Sequence, residues 1–265
     1  MQVALSIAAS DPTGGAGLQA DLQVFRSLGV HGAGVVTALT VQDSGKVHQV
    51  LPAFPNVVLD QLRVLLADMR PHAIKIGALA SDDVAINVEL GLAALDPEAG
   101  ALPPIVIDPV LAASDGTPLL ERRAWGTLIR LVSRAALVTP NLAEAAALTG
   151  CDLSTEEGAE AAACALVGDL GAGAALVKGG HREGPPRDLL VIREGGSQSI
   201  DWLEGERIDA GPVHGTGCAL SSAVAAHLAK GRTLPDAVDR ARRFVADGLR
   251  NAAQAGRRAR FLSWS

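Results

Sequence analysis

The stretch His214-Gly215-Thr216-Gly217-Cys218 sets a thiol directly behind two glycines and ahead of an Ala/Leu/Val run. Gly215, Thr216 and Gly217 can aim successive backbone N–H groups at one point, and a helix starting there adds its positive end. Such an anion nest suits phosphoryl transfer, where charge on the moving oxygens must be stabilised. A cysteine at that helix start is expected to have a lowered pKa. As a thiolate, Cys218 can take a proton from a substrate hydroxyl or act as a nucleophile. As a thiol it is a small buried hydrophobe, the ordinary state of a free cysteine. Position alone leaves these balanced. His214 either assists the chemistry or caps the turn.

Four further stretches carry chemistry-bearing residues. In IVIDPV, Asp108 directly follows an apolar run, where a carboxylate is costly unless it is paired or beside a cation. In TPNLAEAAAL (139–148), Asn141 and Glu144 have the spacing of a helix capping box, and the same pair can face a hydrated Mg2+. In LVKGGHREG (176–184), Lys178 ends an apolar run before two glycines. It fits a nucleotide phosphate or a solvated turn. SDPTGGAGLQAD (10–21) holds a loose G-x-G-x-x-A at Gly15, Gly17 and Ala20. In the dinucleotide fingerprint the first glycine sits in the tight turn leaving the strand. Here Pro12 and its neighbours intervene, so an NAD-binding Rossmann oxidoreductase is the alternative from another class, and a glycine-rich ligand loop is preferred. No Walker-type phosphate loop occurs.

The elements that must position these residues alternate along the chain. Expected strands are Val3–Ala8, Gly34–Leu39, Ala73–Ile76, Ile105–Ile107, Leu137–Val138 and Ala174–Val177. Helices are expected over Leu18–Leu28, Pro55–Met69, Asp82–Leu95, Arg122–Val132, Asn141–Leu148, Thr155–Leu170, Gly217–Lys230 and Leu234–Ala253. Leu189–Arg193 and Ser199–Trp202, joined by EGGSQ, read as an antiparallel edge hairpin. Strand–helix alternation implies an α/β fold with a mostly parallel central sheet and helices on both faces. Residues 1–265 are expected to form one domain. Ligands in such sheets bind outside the carboxyl ends of the strands. The residues at those ends are Ser10-Asp11, Gln42-Asp43, Asp108, Thr139–Asn141 and Lys178-Gly179-Gly180-His181. They belong on one rim.

Composition narrows the partners. A net charge of −6 without a long basic run argues against nucleic acid and anionic membranes. The three cysteines, Cys151, Cys164 and Cys218, form no C-x-x-C pair, which suits a reducing compartment. The amino terminus reads as a first strand, not a leader, and the longest apolar helix candidate is too short to span a bilayer. A cytoplasmic protein is expected.

Taken in order, SDPTGGAGLQADL, VVTALTVQ, IKIGALAS, VIDPVL, LVTPNLAEAAALTG, LVKGGH and HGTGCALSSAVAAHLAKG resemble the hydroxymethylpyrimidine/phosphomethylpyrimidine kinases of thiamin biosynthesis. These belong to the ribokinase-like superfamily. The resemblance implies a three-layer sandwich and an ATP- and Mg2+-dependent kinase acting on a primary alcohol of a heteroaromatic ring, as a homodimer. It implies Cys218 as the base, where many relatives have aspartate, and Gly215–Cys218 as the anion hole. Gln42 would read the polar edge of the pyrimidine, with Asp11, Gly15, Ala16 and Asp21 bordering its pocket. Asp108, Asn141 and Glu144 would hold Mg2+ waters and phosphates, and Lys178 would lie near ATP, as would Asn141. A pyridoxal/pyridoxine kinase is the alternative within the superfamily. The chain departs from the pattern at Ala78, where relatives commonly carry methionine, and at Ser114, where they carry lysine. DAGPVHGTGC likewise replaces a more polar run. These changes bear on ring specificity and on the second phosphorylation.

Overall fold

In β1 (Val3–Ser10), alternation sends Leu5 and Ile7 into one apolar core and Ala4 into another, so both faces of this strand are buried. The same division recurs in β4 (Ala73–Ile76), β5 (Ile105–Ile107), β6 (Leu137–Val138) and β7 (Ala174–Val177). With β2 (His31–Gln42) these strands run parallel in the order β2-β1-β4-β5-β6-β7. The computed structural model describes residues 1–93, 95, 102–180 and 185–264. His181 lies outside the described residues.

Three antiparallel strands complete a nine-stranded sheet. β3 (Val47–Pro52) pairs outside β2, and the hairpin β8 (Arg187–Glu194) and β9 (Ser197–Glu204) extends the opposite edge. One helical layer holds α1 (Gly17–Ser27), α7 (Thr216–Ala229) and α8 (Leu234–Arg250). The other holds α2 (Pro55–Asp68), α3 (Asp82–Ala93), α4 (Trp125–Val132), α5 (Leu142–Thr149) and α6 (Glu156–Gly168). This is the expected mostly parallel α/β sandwich. α7 is apolar almost all round because it is buried against the sheet on one side and α8 on the other. Its alanines at 219, 223, 225 and 226 are short enough to let it lie close over β1, β4 and β5.

Expected elements agree with these to within a few residues, and the differences have local causes. Arg122–Ala124 forms a single 3-10 turn ahead of α4. β3 pairs on one side only and exposes most of its residues, so its apolar alternation is faint. β10 (Val213–His214), β11 (Ala253–Gln254) and β12 (Arg260–Phe261) make a small separate sheet with β12 in the middle. Two-residue strands leave no period to read.

Candidate active site

The carboxyl ends of β1, β2, β5 and β7 open into one cavity of about 720 Å3, together with the start of α7. Asp11, Ala16, Gln42, Asp108, Asn141, Glu144, Lys178 and Gly215–Cys218 all line it. Residues from six separate stretches of chain therefore meet on one rim, as strand-end placement requires. Asp21 and Gly15 do not line this wall. Asp21 is completely buried beneath it, and Gly15 lies behind His214.

The anion nest forms at the start of α7. Gly215 is the N-cap with φ near 80°, and a Cβ there would lie 1.7 Å from the Gly15 carbonyl oxygen, so glycine is required on both counts. No side chain caps this helix. Its first N–H groups are therefore not consumed by a capping oxygen, which is the condition for receiving a ligand oxyanion. Ser221 donates back to the Gly217 and Cys218 carbonyls, away from that end.

Lys178 borders the nest. Its Nζ donates to Asp108 Oδ1 at 2.8 Å, and Thr139 Oγ1 reaches the same oxygen at 3.4 Å. Burial pulls the ammonium pKa down, but the Asp108 charge, reinforced by Glu144, holds it above the ordinary lysine value. Asn141 and Glu144 do make the full capping box of α5. Asn141 Oδ1 accepts from Glu144 N at 2.9 Å, and Glu144 Oε2 accepts from Asn141 N at 2.8 Å. The plain structural explanation of that pair is thus realised, yet both residues also face the cavity. Burial pushes Glu144 up to about 7; Lys178 opposes this and Asp108 adds to it.

These carboxylates set what ion the site fits. Among the described residues no group of three or more His, Cys, Asp or Glu side chains is placed to hold a bare metal ion. Asp108 and Glu144 raise a negative field beside the nest that Lys178 only partly offsets, since Glu144 stays raised. A hydrated Mg2+ carried by phosphates and steadied by one or two carboxylates matches that donor set.

Cys218 keeps part of its surface in the cavity and accepts a hydrogen bond from the Gly17 N–H, the first of α1. Two helix starts therefore converge on the thiol. The expected lowering of its pKa is nevertheless corrected by the structure. Desolvation pushes the thiol up to about 11, with Asp108 and Asp21 adding to it against Lys75 and the Gly17 N–H. Burial is the dominant cause, and the two carboxylates, which come from distant parts of the chain, add to it.

Lys75 is a site-floor residue that the sequence reading did not single out. It is fully buried, lines the cavity and donates to Asp21 at 2.8 and 3.0 Å. Burial works against its charge, but Asp21, Cys218 and Asp108 together hold the ammonium above the ordinary lysine range. Ser6 and Ser222 donate to the two Asp21 oxygens at 2.5 and 2.6 Å, completing its shell.

At the β2 end, His214 neither caps the turn nor faces Cys218. Its Nε2 lies 2.8 Å from Asp11 Oδ2 and 3.3 Å from the Gln42 side-chain amide. A single ring nitrogen cannot donate to one and accept from the other, so the shorter Asp11 contact fixes the N–H there. Burial alone would raise Asp11, but the His214 contact and the Thr13 hydrogen bonds hold it below the usual carboxylate range. Asp43, the other residue at that strand end, turns away to accept from Gly45, Lys46 and His48. The opposite end of the cavity, also unforeseen, is walled by residues 204–208 and by α8. There Arg242 pairs with Asp188 at 2.8 Å.

Comparison with known proteins adds a third line. A family model described as phosphomethylpyrimidine kinase matches residues 11–262. The hydroxymethylpyrimidine/phosphomethylpyrimidine kinase of Staphylococcus aureus (strain MRSA252) is 36% identical over 259 residues, 97% of this chain and 91% of that protein. The crystal structure of a phosphomethylpyrimidine kinase from Clostridium difficile 630 superposes with a TM-score of 0.78 at 30% identity, covering 93% of this chain and 98% of that one. The pyridoxal kinase of Bacillus subtilis, solved as an ADP complex, superposes with a TM-score of 0.86 at 31% identity over 99% and 97% of the two chains.

Proposed function

From the phosphomethylpyrimidine kinase family, to which this chain belongs, we propose the reaction that its site performs. The protein is a hydroxymethylpyrimidine/phosphomethylpyrimidine kinase, an ATP-using phosphotransferase. It transfers the γ-phosphoryl group to the hydroxymethyl group of 4-amino-5-hydroxymethyl-2-methylpyrimidine and, in a second step, to the resulting monophosphate. The observation that carries this reading is the uncapped α7 start, with Cys218 on one side and Lys178–Asp108 on the other.

In the transfer, a bond forms between the substrate oxygen and the γ-phosphorus, and the bond from that phosphorus to the β,γ-bridging oxygen breaks, releasing ADP. The N–H groups at Gly215–Cys218 stabilise charge on the equatorial oxygens, which is the main work of a phosphoryl-transfer site. Lys178 exchanges Asp108 for phosphate oxygens. Asp108 and Glu144, with the Asn141 cap beside them, would hold the Mg2+ waters, and the ion supplies charge neutralisation on the phosphates. Cys218 receives the hydroxyl proton. At pH 7 the open site opposes this by about 5 kcal/mol, the cost of deprotonating a thiol near pKa 11. Base action therefore depends on positive charge arriving with the nucleotide. Gln42 reads the ring edge, with Asp11 and Ala16 beside it.

A pyridoxal kinase activity is the second reading, favoured by the superposition on the Bacillus subtilis enzyme. Ala78 lines the ring end of the cavity with a small side chain, and Ser114 stands in the wall without a charge. We also infer a homodimer, supported by Leu39, Val41 and Leu51, which stay exposed on the β2–β3 ribbon. A cytoplasmic setting is supported by the three unpaired cysteines. No helix among the described residues is long and apolar enough to cross a membrane. The deciding measurement is ADP release with Mg-ATP against hydroxymethylpyrimidine, its monophosphate, pyridoxine and pyridoxal. The expected order places hydroxymethylpyrimidine first; faster turnover of pyridoxal transfers the assignment to the second reading.

A further inference from the structure

The carboxyl-terminal segment after α8 does not run off into solvent. It returns across the molecule to the ring end of the cavity. Trp264 stacks on Phe244 of α8, with centroids 4.6 Å apart, and its indole N–H donates to the Phe244 carbonyl at 3.0 Å. β12 then pairs with β10, the strand that contains His214. The Phe261 ring meets the His214 imidazole edge-on at 6.2 Å. Farther along, Arg258 N donates to Ser44 Oγ in the β2–β3 turn, two residues beyond Gln42.

The chain is shaped to admit this segment. A Cβ on Gly15 would lie 2.5 Å from both His214 and Phe261, and one on Gly45 would lie 2.3 Å from Arg258. One on Gly256 would lie 2.4 Å from Ser44, and one on Gly248 would lie 2.5 Å from Trp264. At all four positions the missing side chain is what lets the segment and the body approach. The contacts fall on α8, on the loop after β1, on the turn after β2 and on His214. Two of those places carry Asp11 and His214, and a third lies two residues beyond Gln42.

We propose that the segment Ala253–Trp264 is a positioning strap for the ring-binding end of the site, and that Phe261 is the positioning residue that fixes His214 against Asp11 and Gln42. The inference rests on the assignment of that end of the cavity to the heteroaromatic alcohol. Its physical basis is that an imidazole held by one hydrogen bond can still rotate about its side-chain torsions, whereas a ring packed edge-on against it cannot follow without steric cost. Fixing His214 keeps its ring as a wall 3.3 Å from the Gln42 amide and limits where that side chain can turn. Among the described residues no hydrogen bond, ion pair or ring contact joins the strap to Lys178 or Asp108, so its larger effect is expected on the alcohol.

The test uses the full-length enzyme and the alcohol that the wild type phosphorylates fastest, so a wrong substrate assignment shows in the wild type and a wrong strap assignment only in the variants. Phe261→Ala is expected to raise KM for the alcohol by about tenfold or more while KM for ATP stays within about twofold, the pattern of lost positioning at one subsite. Phe261→Leu, which retains bulk, should recover most of that loss. Trp264→Ala, at the α8 end of the strap, provides the stability control, with a lowered Tm and a smaller KM change. Unchanged KM for the alcohol in Phe261→Ala overturns the proposal. So does an equal rise for both substrates that tracks Tm across the three variants, because the strap then serves the fold alone.

Discussion

Two lysine–aspartate pairs lie on either side of Cys218, and they are opposites. Lys75–Asp21 has 0% of either side chain exposed, and both Asp21 oxygens are further occupied by serine hydroxyls. Lys178–Asp108 leaves 16% of the lysine open to the cavity, and among the described residues the Asp108 carboxylate meets Lys178 and Thr139, both on one oxygen. The first pair is closed and cannot exchange partners without exposing a buried charge. The second can release Lys178 to a phosphate and turn Asp108 toward a cation. The same two residue types thus yield a structural clamp in one place and exchangeable machinery in the other. Both lysines line the cavity, and the difference is exposure and the serine hydroxyls that close off Asp21. Both fields also reach the thiol between them, since Lys75 opposes and Asp108 favours its protonation.

The largest expected effect separates the two pairs directly. Lys75→Met leaves the Asp21 charge buried without its counter-ion, which costs about 3–5 kcal/mol and a large drop in Tm. Lys178→Met should move Tm by only a few degrees, because Asp108 can be rehydrated from the cavity, but should slow turnover by about 10²–10³-fold. Thermal melts and ADP release on the two variants read this contrast. Comparable Tm losses in both would erase the distinction between clamp and machinery.

How far each pair could be read from the sequence follows from the same difference. Asp108 and Lys178 each end an apolar run, and a polar residue at a parallel strand's carboxyl end is a recognisable position. Lys75 sits within AIKI, where its neighbours declare a strand and nothing local reports the partner 54 residues away. The family resemblance places Asp21 at the pocket border; only the packing of α1 against α7 shows that it points to Ser222 and Lys75 instead. The fold was legible wherever strands were apolar on both faces. It was not legible at β3, which pairs on one side only, or at β10–β12, which are two residues each and too short to show a period. The raised Cys218 pKa belongs to this second kind of fact, as the sequence displays the helix start but not the burial of the thiol or the two carboxylates that add to it.

A comparable effect on turnover is expected at the thiol that the two pairs share. Cys218→Ala should lower kcat by about 10²–10⁴-fold, the range of a lost general base, while ATP affinity holds. Because the free thiol titrates near pH 11, the thiolate fraction grows throughout the accessible range. Wild-type kcat/KM should therefore climb with pH above neutrality, and the climb should vanish in Cys218→Ala. A wild-type profile that is flat from pH 7 to about 9.5 would remove the base assignment and leave Cys218 as packing.

The smallest effect sharpens the comparison from the open side. Glu144 belongs to the Lys178–Asp108 end, and its carboxyl is raised from 4.5 to about 7 in the folded protein. A group whose folded pKa is raised gives stability that is fully present below the unfolded value and is lost as pH rises through the folded one. Wild-type stability should therefore decline between about pH 4.5 and 7 by at most about 3 kcal/mol from this residue. Glu144→Gln removes that loss while keeping a side chain able to complete the capping box with Asn141. The variant should thus match the wild type near pH 4.5, melt a few degrees higher at pH 8, and turn over Mg-ATP more slowly at either pH. A Tm difference independent of pH would mean that Glu144 is no more strained than the closed Asp21. If the gain appears only at high pH, the open end of the site is held in a destabilised state, ready for the cation that neutralises it.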